Sequence, residues 1–474
     1  MNTNFPVRIY IVALVLRLIP VLLTRNLGIG LDDMFQYDML ARSLASGHGF
    51  RWYARADLKL IEPYIRFDLS TAKDYDPDHG LYTSFRAPLY PAFLSLVYLL
   101  NGTDFSRFFA ARLAQAVLLG APLAPLTYRV SRAMFPDSEN RSRLAAWIVA
   151  AYPMLLIYPL GLGTENPFFL LLLFSFFFLL RSIEEPSVPN FILSGLFLGL
   201  TALTRSVILP FAALAVLYLI YLLRGRAVII GIVFALTVTP WIIRNSILHH
   251  KLTGIETSMG YNLYLGYHPE GDGSFKFGPS LDLLTIMDDS DRDKVGTERA
   301  LGFIRARPDR FLPLAVNRLG FFFGLEKRVL MYFYSNNLVG YIPPGLLLML
   351  SAVLLLPFAV ISVLAALSLP WLGWNSRIVL LALLFVSYLV PHVLILAEDR
   401  FHLVLVPLIA ILAAHGWSYL STKGALMTVN RSLLIVAAAV VFLLLINWGL
   451  ELHRDADKIV TLFGPNGNRS FYPY

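Results

Sequence analysis

Glu165-Asn166-Pro167-Phe168-Phe169-Leu170-Leu171-Leu172-Leu173-Phe174-Ser175-Phe176-Phe177-Phe178-Leu179-Leu180-Arg181 is the stretch that decides the fold class. One carboxylate stands at its head, and apart from Ser175 everything from Phe168 to Leu180 is apolar. A helix rising 1.5 Å per residue needs roughly 20 such residues to cross a hydrocarbon core of ~30 Å. A barrel strand would alternate polar and apolar residues, which this stretch does not. Comparable runs recur at about 7–24, 107–129, 143–161, 190–204, 206–223, 227–246, 342–367, 377–396, 401–421 and 431–450. The sequence therefore predicts an all-α polytopic membrane protein with about 11 spans, uncertain by two.

Composition leads to the same class. The 474 residues are 57% hydrophobic and 15% charged, against about 25% charged in soluble proteins. Mean hydropathy is +0.64. A disordered chain, a disulfide-stapled miniprotein and an ordinary soluble enzyme are excluded. The absence of cysteine removes thiolate ligands and nucleophiles. The net charge of +8 fits loops and lipid headgroups, and without a basic domain nucleic acid is not an expected partner. The run Ile9–Leu23 has the length of a signal-peptide core, but no small-residue cleavage site follows, so it reads as a retained span.

Two long polar segments interrupt the spans, 25–86 and about 247–312. In the first, Met34, Tyr37, Leu40, Ala41 and Leu44 fall near one face of a helix over Asp33–Ser46, ended by Gly47 and Gly49. That pattern predicts an amphipathic helix lying at the membrane surface. Pro88–Leu100 is too short to cross and is expected to dip in or lie flat. The short basic loops near Arg129, Arg132, Arg141 and Arg143, then Arg181, Arg224, Arg226, Arg377, Lys423 and Arg431, then share one side, which is the cytoplasm. Both polar segments, Glu165, Arg205 and the Glu398–Arg400 corner share the outer side. The expected organisation is a catalytic transmembrane module over 1–246, including the outer loop 25–86. An outer-loop region with amphipathic helices follows over 247–341, then C-terminal spans and a short tail over 342–474, ending Phe471-Tyr472-Pro473-Tyr474.

The strongest chemical cluster is Gly30-Leu31-Asp32-Asp33-Met34-Phe35-Gln36-Tyr37. Adjacent carboxylates at a membrane interface are costly unless solvated or paired. Asp is also a favoured N-cap, and Asp33-x-x-Gln36 has capping-box spacing, so one Asp can cap while the other points inward. Glu165 is either an ordinary first-turn acid or a functional carboxylate at the mouth of its span. Arg86, Arg205 and Arg400 lie on the same side. Lone interfacial arginines usually snorkel, but Arg205 breaks an apolar stretch, and a guanidinium held there suits a bound phosphate. Arg17, inside the first span, either pairs inward or snorkels. Asp74, Asp76, Asp78 and His79 read as a solvated acidic loop before a cation site. No metal-ligand spacing, P-loop, dinucleotide fingerprint or GxSxG motif is present, and no metal site is assigned.

The order of these elements resembles the GT-C glycosyltransferases, in particular the aminoarabinose transferases, protein O-mannosyltransferases and Rgt-type lipopolysaccharide sugar transferases. Asp33-x-x-x-Tyr37-x-x-x-Ala41-x-x-x-Ala45-x-Gly47-x-Gly49-Phe50 is similar to that family's first outer-loop signature. Arg86-Ala87-Pro88-Leu89-Tyr90-Pro91, Glu165-Asn166-Pro167 and Leu203-Thr204-Arg205 resemble its later basic and acidic elements. Pro240-Trp241-Ile242-Ile243-Arg244-Asn245 resembles the end of its seventh span, and Glu398-Asp399-Arg400-Phe401 its Glu-x-Arg-Tyr corner with Phe for Tyr. The resemblance covers about 1–421. Met34 and Gln36 depart from the acidic and basic residues usual there.

The resemblance implies transfer of a sugar from a polyprenyl-phosphate carrier to a glycan, lipid or protein acceptor, with inversion, on the outer face of the cytoplasmic membrane. Registered on Tyr37, it makes Asp33 the general base and Asp32 an extra acid. Arg86 and Arg205, with Arg400 as a third, hold the donor phosphate, and Glu165 orients acceptor or sugar. Tyr37, Arg244, Asn262 and Glu398 support the site. No organic cofactor is required; a divalent cation is compatible with the acidic loop but not indicated. The 247–312 segment, with Tyr261, Asn262, Tyr264 and Tyr267, is the expected acceptor surface, although such residues equally suit interface anchoring. Two other classes remain: a lipid or polysaccharide transporter, and a non-catalytic partner in cell-envelope assembly. The first should expose repeats or charges deep in several spans, and the second should tolerate loss of Asp33 and Glu165.

Overall fold

The computed structural model describes residues 4–67, 69, 72, 74–327, 342–422 and 430–464. Lys423 and the tail Phe471–Tyr474 lie outside them. Eight described helices are long and apolar enough to cross a membrane: Phe5–Leu23, Arg107–Met134, Glu165–Glu184, Val228–His249, Pro344–Trp371, Ser376–Leu394, Phe401–Leu420 and Arg431–Arg454. Glu139–Ala151 and Pro153–Leu160 form a ninth, bent by 52°. Two shorter apolar helices, Val188–Ala202 and Ser206–Leu222, account for the remaining stretches read from the sequence. The chain is a multi-pass helical membrane protein.

The bend has an identifiable cause. Pro153 lacks the N–H that would bond the carbonyl of Val149 four residues back. Arg17, on helix α1 (Phe5–Leu23), is fully buried and donates to the carbonyls of Val149 and Ala150, each at 3.2 Å. This arginine pairs inward and satisfies backbone groups that an apolar interior would leave unbonded.

The first polar segment is folded. It contains α2 (Asp33–Ala45), β1 (Arg51–Trp52), α3 (Arg55–Ile61) and β2 (Leu81–Tyr82), and is followed by α4 (Leu89–Asn101). The two strands pair antiparallel, Arg51 opposite Tyr82 and Trp52 opposite Leu81. Gly80 enters this ribbon at φ +81°, where an added Cβ would stand 2.0 Å from the Trp52 carbonyl oxygen. Only glycine fits there.

The structure corrects the expectation of a surface helix with one wet face. Met34, Tyr37 and Ala41 pack with Tyr90, Leu94 and Tyr98 of α4. Phe35, Met39 and Leu40 pack on another side with Phe50, Trp52 and Leu81. The polar residue that disguised this second stripe is Asp38. It is buried but neutralised, accepting from Arg107 Nε at 2.7 Å, Arg42 Nε at 2.8 Å and Tyr98 Oη at 2.9 Å. The segment after Pro88, expected to dip in or lie flat, is the helix α4, which turns Tyr90, Leu94 and Tyr98 to α2 and leaves Leu96, Leu99 and Leu100 exposed.

The second polar segment packs against the first. Its helices Met259–Tyr267 and Asp289–Ala306 lie together. Tyr261 meets Phe85 edge-on with centroids 5.5 Å apart, and Arg292 lies over the Phe85 ring at 5.2 Å. The acidic run has structural duties here: Asp288 caps its helix by accepting from the Asp291 N–H at 2.9 Å, and Asp293 accepts from the Gly260 N–H at 2.6 Å.

Candidate active site

Asp33 is the first residue of α2. Asp32 is the N-cap, its Oδ1 accepting from the Met34 N–H at 2.9 Å, so the two adjacent acids divide the roles. The capping-box expectation for Gln36 is corrected: Gln36 Oε1 accepts from Arg86 Nε at 2.9 Å and Nη2 at 2.6 Å. Arg86 Nη2 also donates to Asp33 Oδ1. The Arg86 guanidinium stacks over Tyr37 at 5.2 Å and Phe85 at 5.1 Å, which gives Tyr37 a place in the site.

The loop carrying Arg86 is pinned from the second polar segment. Thr83 Oγ1 and the Ser84 N–H donate to Asp289 Oδ2 at 2.5 and 2.8 Å. Arg244 Nη1 donates to the Thr83 carbonyl at 2.6 Å and lies over the Trp241 ring at 4.8 Å. Arg244 thus fixes the backbone leading to Arg86; it acts one step back from the carboxylates.

Glu165 heads its span and pairs with Arg205 Nη1 at 2.8 Å. Arg205 has extended backbone, φ −151° and ψ 117°, between Val188–Ala202 and the helix that follows. That break lets its side chain turn inward over Phe168 and Phe401, at 5.8 and 5.4 Å. Ser206 next to it donates its N–H to Glu256 at 3.1 Å.

Arg400 stands at the corner after Ser376–Leu394. Its Nη2 is 3.7 Å from Asp33 Oδ2, its Nη1 3.8 Å from Glu165 Oε1 and its Nε 2.8 Å from Glu398 Oε2. The corner is held on both sides. Buried Arg318 donates to the carbonyls of Val393 and Leu394 at 3.2 and 3.1 Å, two orphan acceptors of a helix end. Buried His402 donates from Nδ1 to the Phe322 carbonyl at 2.7 Å, with Nε2 3.0 Å from Glu326 Oε1.

Asp33, Glu165, Arg86, Arg205 and the pair Glu398 and Arg400 therefore meet in one ion-pair cluster, although they come from places far apart along the chain. Burial works to raise the Asp33 pKa, but the Arg86, Arg400 and Arg205 guanidiniums outweigh it and hold the carboxyl at about 2. Its side chain keeps 44% exposure, against 10% for Glu165. Asp33 is therefore an ionised carboxylate that keeps contact with solvent. Arg86 and Arg400 beside it, and Arg205 beside Glu165, offer forked donors for an oxyanion.

Asn262 lies on Met259–Tyr267, half-buried, and among the described residues no hydrogen bond or ion pair joins its side chain to the cluster. The three tyrosine hydroxyls of that helix are engaged within the protein, Tyr261 with the Ser280 carbonyl, Tyr264 with Asp282 and Tyr267 with the Leu394 carbonyl. Asp76 in the acidic loop accepts from the Asp78 and His79 N–H groups and lies 2.6 Å from His79 Nδ1. Among the described residues, no group of three or more His, Asp or Glu side chains is placed to hold a metal. Reading the sequence missed Arg112 and Gln115, two buried polar residues in the span Arg107–Met134. Their signal was visible: ionisable and amide groups inside an apolar span are functional candidates by default.

The membrane-spanning helical bundle with its folded loop region has a GT-C-type fold. Residues 85–243, about a third of the chain, match the profile of the dolichyl-phosphate-mannose-protein mannosyltransferase family. That stretch contains Arg86, Glu165 and Arg205. Among solved structures, the apo oligosaccharyltransferase of Archaeoglobus fulgidus aligns over 100% of this chain with 13% identity and a TM-score of 0.50. The chain spans 60% of that protein's length. ArnT from Cupriavidus metallidurans, solved bound to undecaprenyl phosphate, is 14% identical over 88% of this chain and 78% of its own, with a TM-score of 0.40. No curated protein matches the sequence.

Proposed function

We propose that the chain moves a hexosyl or pentosyl group from a polyprenyl-phosphate carrier to an acceptor hydroxyl, with inversion, on the outer face of the cytoplasmic membrane. The observation that carries this reading is the ionised Asp33 set between Arg86 and Arg400 in one cluster with Arg205 and Glu165. The matched family profile supports a polyprenyl-phosphate donor, because its description names a dolichyl-phosphate-linked sugar.

In this mechanism the donor phosphate takes over the guanidiniums of Arg86, Arg205 and Arg400 from the carboxylates. On this reading the three guanidiniums face the place where charge grows as the phosphate departs. Asp33 gains basicity as its guanidinium partners turn to the phosphate, and it accepts the proton of the acceptor hydroxyl. The hydroxyl oxygen bonds to the anomeric carbon while the bond from that carbon to the phosphate oxygen breaks. The products are the glycosylated acceptor and polyprenyl phosphate. Glu165, held by Arg205, orients the sugar or the acceptor. Asn262 and its helix belong to the acceptor side. The acceptor is a glycan, lipid or protein, and the reaction needs no organic cofactor.

The test uses the purified chain in proteoliposomes with a panel of undecaprenyl-phosphate-linked hexoses and pentoses and an envelope extract as acceptor. Wild type is expected to release undecaprenyl phosphate from at least one donor, and Asp33→Asn to lose about 100-fold or more of that rate. Equal rates for the two proteins would remove Asp33 from the chemistry. Movement of the lipid across the vesicle without cleavage would replace the transferase with a transporter.

A further inference from the structure

Arg112 and Gln115 sit three residues apart on one face of the span Arg107–Met134, where Gln115 opens the π-helical turn Gln115–Gly120. Both side chains are completely buried. Arg112 Nη1 and Nη2 donate to the carbonyls of Leu27 and Gly28, the latter at 2.6 Å, and its Nε donates to the carbonyl of Leu160 at 2.8 Å. Gly28 lies five residues before Asp33, and Leu160 five before Glu165. One guanidinium therefore ties together the two backbone segments that deliver the two carboxylates.

Gln115 completes the tie. Its Nε2 donates to the carbonyls of Pro159 and Gly161 at 2.9 and 3.3 Å. Its Oε1 accepts from Tyr90 Oη at 2.6 Å and from Asn166 Nδ2 at 3.2 Å. Tyr90 lies in the first turn of α4, the helix that follows the Arg86 loop, and Asn166 is the neighbour of Glu165. The loops approaching Asp33 and Glu165 and the helix behind Arg86 thus all converge on one helix face. π-helical turns are rare and concentrate at functional sites. A planar guanidinium is the side chain suited to grip several carbonyls at fixed angles.

We infer that Arg112 and Gln115 are positioning residues that set the separation of Asp33 from Glu165. The kinetic consequence rests on the transferase reading; the geometric one does not. The chain has no cysteine, so two can be introduced for spin labels without removing any. Leu31 is 45% exposed, and a Cβ at Gly161 would meet nothing closer than 3.6 Å. Distances between labels on Leu31→Cys and Gly161→Cys are then measured by pulsed electron paramagnetic resonance on full-length protein in nanodiscs. The backgrounds are wild type, Arg112→Gln, Arg112→Lys and Gln115→Leu.

A single narrow distribution is expected for wild type, a broadened or shifted one for Arg112→Gln and Gln115→Leu, and partial recovery for Arg112→Lys. In the transferase assay the same variants should lose about tenfold or more in kcat with donor KM nearly unchanged, because misplacement by about 1 Å can cost 100-fold. Folded variants that keep the wild-type distribution overturn the inference. So does failure of every variant to fold, since the residues would then serve the fold and not the spacing. If distances broaden while wild type shows no transfer, the positioning role stands and the transferase reading falls.

Discussion

Asp33 and Glu165 share a counter-ion: one guanidinium, that of Arg400, reaches Asp33 Oδ2 at 3.7 Å through Nη2 and Glu165 Oε1 at 3.8 Å through Nη1. An ammonium is a point charge and cannot present two donors in a fixed fork. Arg400→Lys keeps the charge but loses the bridge. We expect kcat to fall roughly 10- to 100-fold with little change in thermal stability, because the positive charge beside Glu398 is retained. A variant within twofold of wild type in a proteoliposome assay would show that the bridge does not matter.

The pH dependence follows from the same cluster. The Asp33 carboxyl is held at about 2, below its ordinary 3.8, by Arg86, Arg400 and Arg205 working against burial. A depressed carboxyl pKa stabilises the fold at every pH above the unfolded value. That contribution is lost as pH falls from about 4 through about 2. In the rate, kcat/KM reports the free enzyme, so its acid limb should show no Asp33 titration above about pH 4. The limb of kcat should lie higher, because the bound phosphate draws the guanidiniums away. Coincident limbs near pH 6 would contradict this.

Arg17 tests a purely structural arginine. Arg17→Met removes the donors to Val149 and Ala150 at the bend before Pro153. Unsatisfied carbonyls in an apolar interior cost about 1–3 kcal/mol each, and the Met side chain recovers part of this by packing. The expected result is a clear drop in unfolding temperature in detergent, with kcat per folded molecule unchanged. A lost kcat at unchanged stability would place Arg17 in the chemistry.

Gly80 tests the folded loop. Gly80→Ala puts a Cβ 2.0 Å from the Trp52 carbonyl oxygen at φ +81°. Relief requires opening the β1–β2 ribbon, at a cost of about 2 kcal/mol or more. Limited proteolysis should then cut within 49–86 while the spans stay intact. A wild-type cleavage pattern would show that the ribbon relaxes without opening.

Much of this was legible in the sequence because membrane physics is local. Apolar runs of span length are read one at a time, and they give the bundle. Asp33, Arg86, Glu165, Arg205 and Arg400 were each legible as polar residues at an apolar boundary, and the fold brings them together. Asp38 was not legible, because its partners Arg42, Tyr98 and Arg107 come from three elements and make a buried carboxylate look like an exposed one. Arg112 and His402 were passed over for a related reason: their partners are backbone carbonyls or a distant acid, which no spacing rule connects. Gln36 was read as a departure and a helix cap, yet it is the second acceptor for Arg86.

The most direct test of the central claim is donor-lipid binding by native mass spectrometry, using undecaprenyl phosphate in competition with phosphatidylglycerol. Wild type should retain undecaprenyl phosphate selectively. Arg86→Ala and Arg205→Ala should each weaken it by 30-fold or more, since loss of a desolvated charge contact costs about 2–5 kcal/mol. Equal retention of the two lipids by wild type, or undiminished binding by both variants, would contradict the assignment of these arginines to a polyprenyl-phosphate site.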